Sequence, residues 1–212
     1  MSQIYKLFYN NRMLVILENC ENIDSQSTAK VYDYSNPSDL IITVRSFEKN
    51  VDIQTLFVVA GNRVEEALAV VKSIYLYVAA AGGIVKNPND ELLFIHRFNK
   101  WDLPKGHVEE GEFIDKTAYR EVVEETSVQG LVMDKYLGST FHIYYLAYKW
   151  CIKETHYYLM LTNSTEPLIP QFSEAIIDAR WIGKSLVLST LESSYASIKD
   201  FVSDKFDDIF SK

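Results

Sequence analysis

The chain has 212 residues, a formal net charge of -8 and apolar side chains at 48% of its positions. That length suits one full domain with a smaller module attached, and the composition is that of a folded globular protein rather than a disordered one. No run of lysines or arginines is present to follow a phosphate backbone, which argues against long nucleic acid as a partner, and Cys20 and Cys151 are too few and too far apart for a disulfide framework or a zinc site.

From the N-terminus, IYKLFY (4–9) and RMLVILE (12–18) read as strands joined by a turn at Asn10 and Asn11. The apolar run from Met13 to Leu17 stops at Glu18. It is too short for a signal sequence or a membrane span, so a cytoplasmic protein with no membrane partner is expected. SNPSDLIITVRSF puts Leu40, Ile41, Val44 and Phe47 at helical spacing behind Ser38 as the cap. TLFVVA (55–60) reads as a strand and VEEALAVVKSIYLYV as a helix. Residues 1–76 are thus expected to form a small α/β module. It shows no cluster of titratable groups, no phosphate-cradling glycine loop and no repeat, so packing, dimerisation or a lid is the role its composition suits.

The second expected domain covers 77–212. AAAGGIVK (79–86) and ELLFIHRF (91–98) read as a hairpin around the NPND turn. WDLPKGHVEEGE reads as a loop because of Pro104, Gly106 and Gly111, and FIDKTAYREVVEET as a helix of three to four turns. Three strand-like runs follow, KYLGSTF, IYYLAYKW and HYYLML; ARWIGK adds a short strand, and SYASIKDFVSDKFDDIF closes as an amphipathic helix.

The helix FIDKTAYREVVEET carries an anomaly. At 100° per residue, Glu121, Glu124 and Glu125 fall within an arc of about 100°, beside Ile114 and Ala118 on the inward face. Glu121 and Glu125 stand four apart, where like charges cost roughly 0.2–0.5 kcal/mol, and the helix C-terminus adds a few tenths more. Arg120 can reach Glu124, but no lysine or arginine lies one helical turn from Glu121 or Glu125. Clustered carboxylates on a half-buried helix end call for a cation, and oxygen ligands suit Mg²⁺ or Mn²⁺ better than zinc. Such ions commonly serve phosphate substrates.

The spacing Gly106, five residues, Glu112, seven residues, Arg120, Glu121, Val122, any residue, Glu124, Glu125, with Val128 closing the stretch, resembles the Nudix box of the Nudix hydrolases. One position departs: the last glycine of the box falls on Ser127. A left-handed residue is favoured there, so serine should cost up to about 1 kcal/mol of capping without removing a ligand. Flanking segments extend the likeness over about 79–190, from GGIVKNPNDELLFIHR and WDLPKGH to ARWI.

The resemblance implies an α/β/α sandwich around a mixed sheet, and Mg²⁺-dependent hydrolysis of a pyrophosphate bond in a nucleoside diphosphate linked to another group. Glu121, Glu124, Glu125 and the Gly106 carbonyl are the implied metal ligands, with Glu121 also orienting or deprotonating the attacking water and Arg120 holding the carboxylates. Glu112 is expected to pair with Arg120. Glu174 is the favoured further acid from beyond the box, ahead of Glu166. Lys105 is a candidate phosphate contact, and Tyr144 and Tyr158 are candidate surfaces for a base. The LPKGH variant resembles the branch that cleaves dinucleoside polyphosphates, so a small nucleotide of that kind is the expected partner. Hydrolysis of ADP-ribose or a nucleoside triphosphate, or nucleotide sensing without turnover, stands as the alternative. A homodimer is expected from the apolar strands of the first module, whose edges need covering.

Overall fold

A computed structural model describes residues 4–21 and 28–211. The chain divides into two compact units: Met1–Val78 with Phe141–Lys153, and Ala79–Thr140 with Glu154–Lys212. The return of 141–153 to the first unit is invisible in the linear sequence.

In the first unit, strands β1 (Tyr5–Tyr9) and β2 (Arg12–Leu17) form the expected hairpin, with Asn10 left-handed at its turn. Strands β3 (Ala29–Asp33) and β4 (Thr55–Val59) lie parallel to one another, and β4 runs parallel to β2. Helix α1 (Pro37–Lys49) starts earlier than expected. Asn36, not Ser38, is its cap, accepting from the Asp39 amide, because Pro37 fits the first helical position and places the cap before it. Helix α2 (Val64–Ser73) stops where IYLYV was expected to continue it. The β-branched and aromatic residues that follow enter a strand instead. Leu40, Val44 and Phe47 of α1 pack with Leu14, Ile16, Leu56 and Val58 of the strands in one core.

The second unit is built on β5 (Leu76–Lys86) from residue 79 onward, β6 (Glu91–Arg97), residues 132–140 of β9 (Val132–Leu146), residues 154–161 of β10 (Lys149–Leu161) and β11 (Ile176–Gly183), in the order β11-β6-β5-β10-β9; the far end of the β9–β10 hairpin belongs to the first unit. The segment expected to be a loop contains two short strands, β7 (Lys100–Asp102) on β6 and β8 (Lys105–His107) on β5. IYYLAYKW is not a separate strand. It is the end of the β9–β10 hairpin, turning at Ala147 and Tyr148 with both residues left-handed. The closing helix is broken at Lys205 into α5 (Ala196–Asp204) and α6 (Phe206–Phe210), and α4 (Lys184–Leu191) precedes it.

Alternate residues of the central strands face opposite cores. Ile84, Leu92, Phe94, Tyr157 and Leu159 pack with Val187, Leu191, Ile198 and Val202 of α4 and α5. Val85, Leu93, Ile95 and Met160 pack with Ala118 and Val122 of helix α3 (Ile114–Thr126). Period-two side chains covered by helices on both faces make the α/β/α sandwich that was expected. Among the described residues no helix is long and apolar enough to cross a membrane.

Candidate active site

Helix α3 and strand β8 carry the site. The three helix carboxylates differ sharply in exposure: the Glu124 side chain is 48% exposed, Glu121 14% and Glu125 2%. Rotation about the helix axis thus turns one acid to water, one to the rim and one inward. Strand β8 pairs with β5 through Ala81↔Gly106 and Gly82↔Lys105, which holds its backbone against α3. A methyl group on Gly106 would overlap the Glu121 carboxyl, so the close approach of strand and acid seen here depends on glycine at this position. On the adjoining residue, the Lys105 amide donates to Glu125 Oε2 at 2.9 Å.

Arg120 gathers the outer acids. Its Nε and Nη2 donate to the two oxygens of Glu112 at 2.9 and 2.8 Å, and its Nη1 donates to Glu121 at 2.7 Å and Glu124 at 3.0 Å. Nη2 also reaches the His107 carbonyl at 3.2 Å. The Arg120 hydrogen bonds, helped by the Thr117 hydroxyl, hold the Glu112 carboxyl down at about 2. Burial pushes Glu121 up, Arg120 opposes it, and the charges of Glu124 and Glu174 add to the rise.

A second network lies behind the first. Arg97, at the end of β6, reaches Glu125 at 3.4 Å and Asp102 at 3.5 Å, while the Lys105 ammonium donates to Asp102. Asp102 is held opposite Ile95 by the β6–β7 ladder and is 1% exposed. Burial pushes Glu125 up to about 7, against the pull of Lys105 and Arg97. Burial works against the charge of Arg97 as well, but Asp102 and Glu125 outweigh it and hold its proton more firmly than usual.

These contacts change several expectations. Cations do stand near Glu121 and Glu125: Arg120 is adjacent in sequence to the first, Arg97 pairs with the second from another strand, and the charge of Lys105 is felt there too. The helix alone therefore does not demand a metal. The Lys105 ammonium is committed to Asp102 instead of facing open solution. Tyr158 packs in the second unit, partly buried against the α3 core and beside Tyr136. Tyr144 belongs to the first unit, where Lys153 lies over its ring. Glu174 ends a short 3-10 turn, Phe172–Glu174, and its charge is felt at Glu121; Glu166 is exposed on the preceding loop. Ser127 is left-handed at φ 56°, as its place in the motif predicts, and its amide closes the helix on the Val123 carbonyl at 2.7 Å.

Arg97 and Asp102 were not singled out from the sequence. The available signal was Asp102 itself, a lone charge between Trp101 and Leu103.

The donor set fits a hard divalent cation in kind and in charge. In the outer network one guanidinium serves three carboxylates, leaving two formal negative charges over. In the inner network two acids face two bases and balance. As the side chains stand, with Arg120 between them, no three acid, histidine or cysteine groups among the described residues are drawn together closely enough to hold a metal.

A family model for the NUDIX domain matches residues 76–201. Two bacterial proteins with provisional names align over short stretches: a mutator protein MutT4 of Mycobacterium tuberculosis, 43% identical over 60 residues, and an 8-oxo-dGTP diphosphatase of Bacillus subtilis, 36% identical over 62. Each stretch is 28% of this chain, and they span 24% and 42% of the relatives' own length. Among solved structures, a Caenorhabditis elegans Ap4A hydrolase binary complex superposes with a TM-score of 0.50 at 22% identity, covering 63% of this chain and 98% of that one. The MutT protein of Methanosarcina mazei gives 0.50 at 23% identity, covering 65% and 98%. At these identities the two structures speak for the fold. The match to the family model runs through both strands that lead to the box, the box helix and the closing strand, and on that extent the chain belongs to the Nudix family.

Proposed function

We propose that this protein is a Mg²⁺-dependent pyrophosphohydrolase that cleaves a phosphoanhydride bond in a nucleoside diphosphate linked to another group, with dinucleoside polyphosphates as the favoured substrates. The observation that carries the reading is the outer network: Glu121, pressed on Gly106 and partly desolvated, shares one guanidinium with Glu112 and Glu124. Glu121 and Glu124, with Glu125 and the Gly106 carbonyl behind them, are the proposed holders of Mg²⁺, or Mn²⁺ in its place. A bound divalent ion polarises phosphate oxygens and lowers the pKa of water. Glu121, whose carboxyl burial makes more basic, orients and deprotonates the attacking water. Arg120 keeps Glu121 aimed, and Glu174 adds negative charge at its side.

The preference for dinucleoside polyphosphates rests on the LPKGH stretch at 103–107. Nucleoside triphosphates are the second reading, supported by the name of the Bacillus subtilis relative. The test incubates the protein and Mg²⁺ with dinucleoside polyphosphates, ADP-ribose, nucleotide sugars and nucleoside triphosphates, and follows products by chromatography. Cleavage of at least one is expected, with the dinucleoside compounds fastest. Glu124→Gln, at a position half open to water, should lower the rate about 100-fold or more while the protein stays folded. A panel left uncut, or a Glu124→Gln variant as fast as the parent, overturns the reading.

A further inference from the structure

Two phenylalanines stand open to solvent at the end of the sheet that holds the inner network. Phe98 is 70% exposed and Phe172 72%. They are far apart in sequence but close in topology. The β6–β11 ladder ends at the pair Arg97↔Ile176, so Phe98 and Ala175 are the next residues out on the two strands. Ala175 in turn closes on Phe172, its amide donating to the Phe172 carbonyl at 3.1 Å. Among the described residues, neither ring stacks on another aromatic.

Both positions are tied to the carboxylates. The Gln171 amide donates to the Glu125 carbonyl at 3.1 Å and the Ile169 amide to the Thr126 carbonyl at 2.9 Å, so the loop carrying Phe172 caps open carbonyls at the C-terminus of α3. Glu174 ends the same 3-10 turn, two residues past Phe172, its amide donating to the Gln171 carbonyl at 3.0 Å. On the other strand, Arg97, which precedes Phe98, pairs with Glu125. Phe98 itself sits at φ 49° and Asn99 at φ 60° in the two-residue turn between β6 and β7. Such turns favour asparagine or glycine, and a bulky aromatic at positive φ is strained. An exposed, strained aromatic beside a reactive site is better understood through a ligand than through packing.

We infer that Phe98 and Phe172 form the surface on which a nucleobase of the substrate stacks, and so set the preference for nucleotides over base-free phosphates. This rests on the proposal that the outer carboxylates act on a nucleotide phosphoanhydride. An aromatic face suits any purine or pyrimidine, and its loss by alanine substitution weakens binding roughly 5- to 150-fold per base.

The test measures, by calorimetry on the full chain with Mg²⁺, binding of ADP and of 5-phosphoribosyl pyrophosphate, which keeps ribose and phosphates but has no base. Phe172→Ala and Phe98→Ala should each weaken ADP about 5-fold or more while the base-free compound binds as before. Phe172→Tyr should restore ADP binding. Equal weakening of both compounds would mark a structural effect of the loop and overturn the inference, as would unchanged ADP binding or a parent protein that binds no ADP. The substrate panel separates the two proposals. If the parent cleaves nucleotides yet the alanine variants bind ADP normally, the stacking surface is wrong and the hydrolase reading stands. If the parent cleaves nothing but the ADP loss is seen, the reverse holds.

Discussion

The two charge networks that meet at α3 use the same side-chain types to opposite ends. Outside, Glu112, Glu121 and Glu124 compete for Arg120, and the group is partly open to water. Inside, Glu125, Asp102, Arg97 and Lys105 alternate in sign, and both acids are buried. Water and ions can exchange with the first, whose surplus negative charge a divalent cation would cancel. The second balances its charge among its own side chains. Clustered carboxylates therefore have a different meaning according to whether the chain itself balances them.

The strongest way to break this comparison is to unbalance the inner network. Asp102→Ala leaves Arg97 and Lys105 facing one acid in a dry site, and the loss of a partner from a buried pair costs about 3–5 kcal/mol. Urea denaturation should show that loss; a change under about 1 kcal/mol would mean that water reaches the network freely. The next effect belongs to the outer network. In Gly106→Ala the new methyl overlaps the Glu121 carboxyl, the end of a flexible side chain that can swing aside, so the fold should survive and the aim of the acid should not. Turnover should fall about 100-fold, the scale expected of a displaced catalytic group.

Smaller changes sharpen the picture at its edges. Ser127→Gly relieves the left-handed C-cap and should add up to about 1 kcal/mol of stability, with turnover unchanged. The least effect is expected from acid. Glu112 is held at about 2 in the folded chain against an ordinary 4.5, so between these values the unfolded chain binds more protons. Its stabilisation is present above about pH 4.5 and is lost as the pH falls towards 2. Glu112→Gln should flatten that part of a melting-temperature profile and leave the profile above pH 6 parallel to the parent.

Much of the architecture was legible locally. The hairpin at Asn10, α3, strands β5 and β6, and the left-handed role of Ser127 follow from side-chain period and turn chemistry within a few residues. Motif spacing led equally directly to Gly106, Arg120 and the helix glutamates, because a helix converts sequence intervals into angles. What misled was length. IYYLAYKW has the composition of a strand but is the turn of a long hairpin, and nothing local distinguishes the two.

By itself, then, the sequence determined which carboxylates share one helix face and the motif spacing that resembles the Nudix family, and the sandwich followed as what that resemblance implies, since motif spacing is covalent. Tertiary structure alone decided that Arg97 and Asp102 complete the inner network, that Lys105 turns to Asp102, and that Phe98 and Phe172 come to the same sheet end. The reason is physical: a buried charge must find its counter-charge wherever the fold brings one, and that partner stands at no fixed distance along the chain.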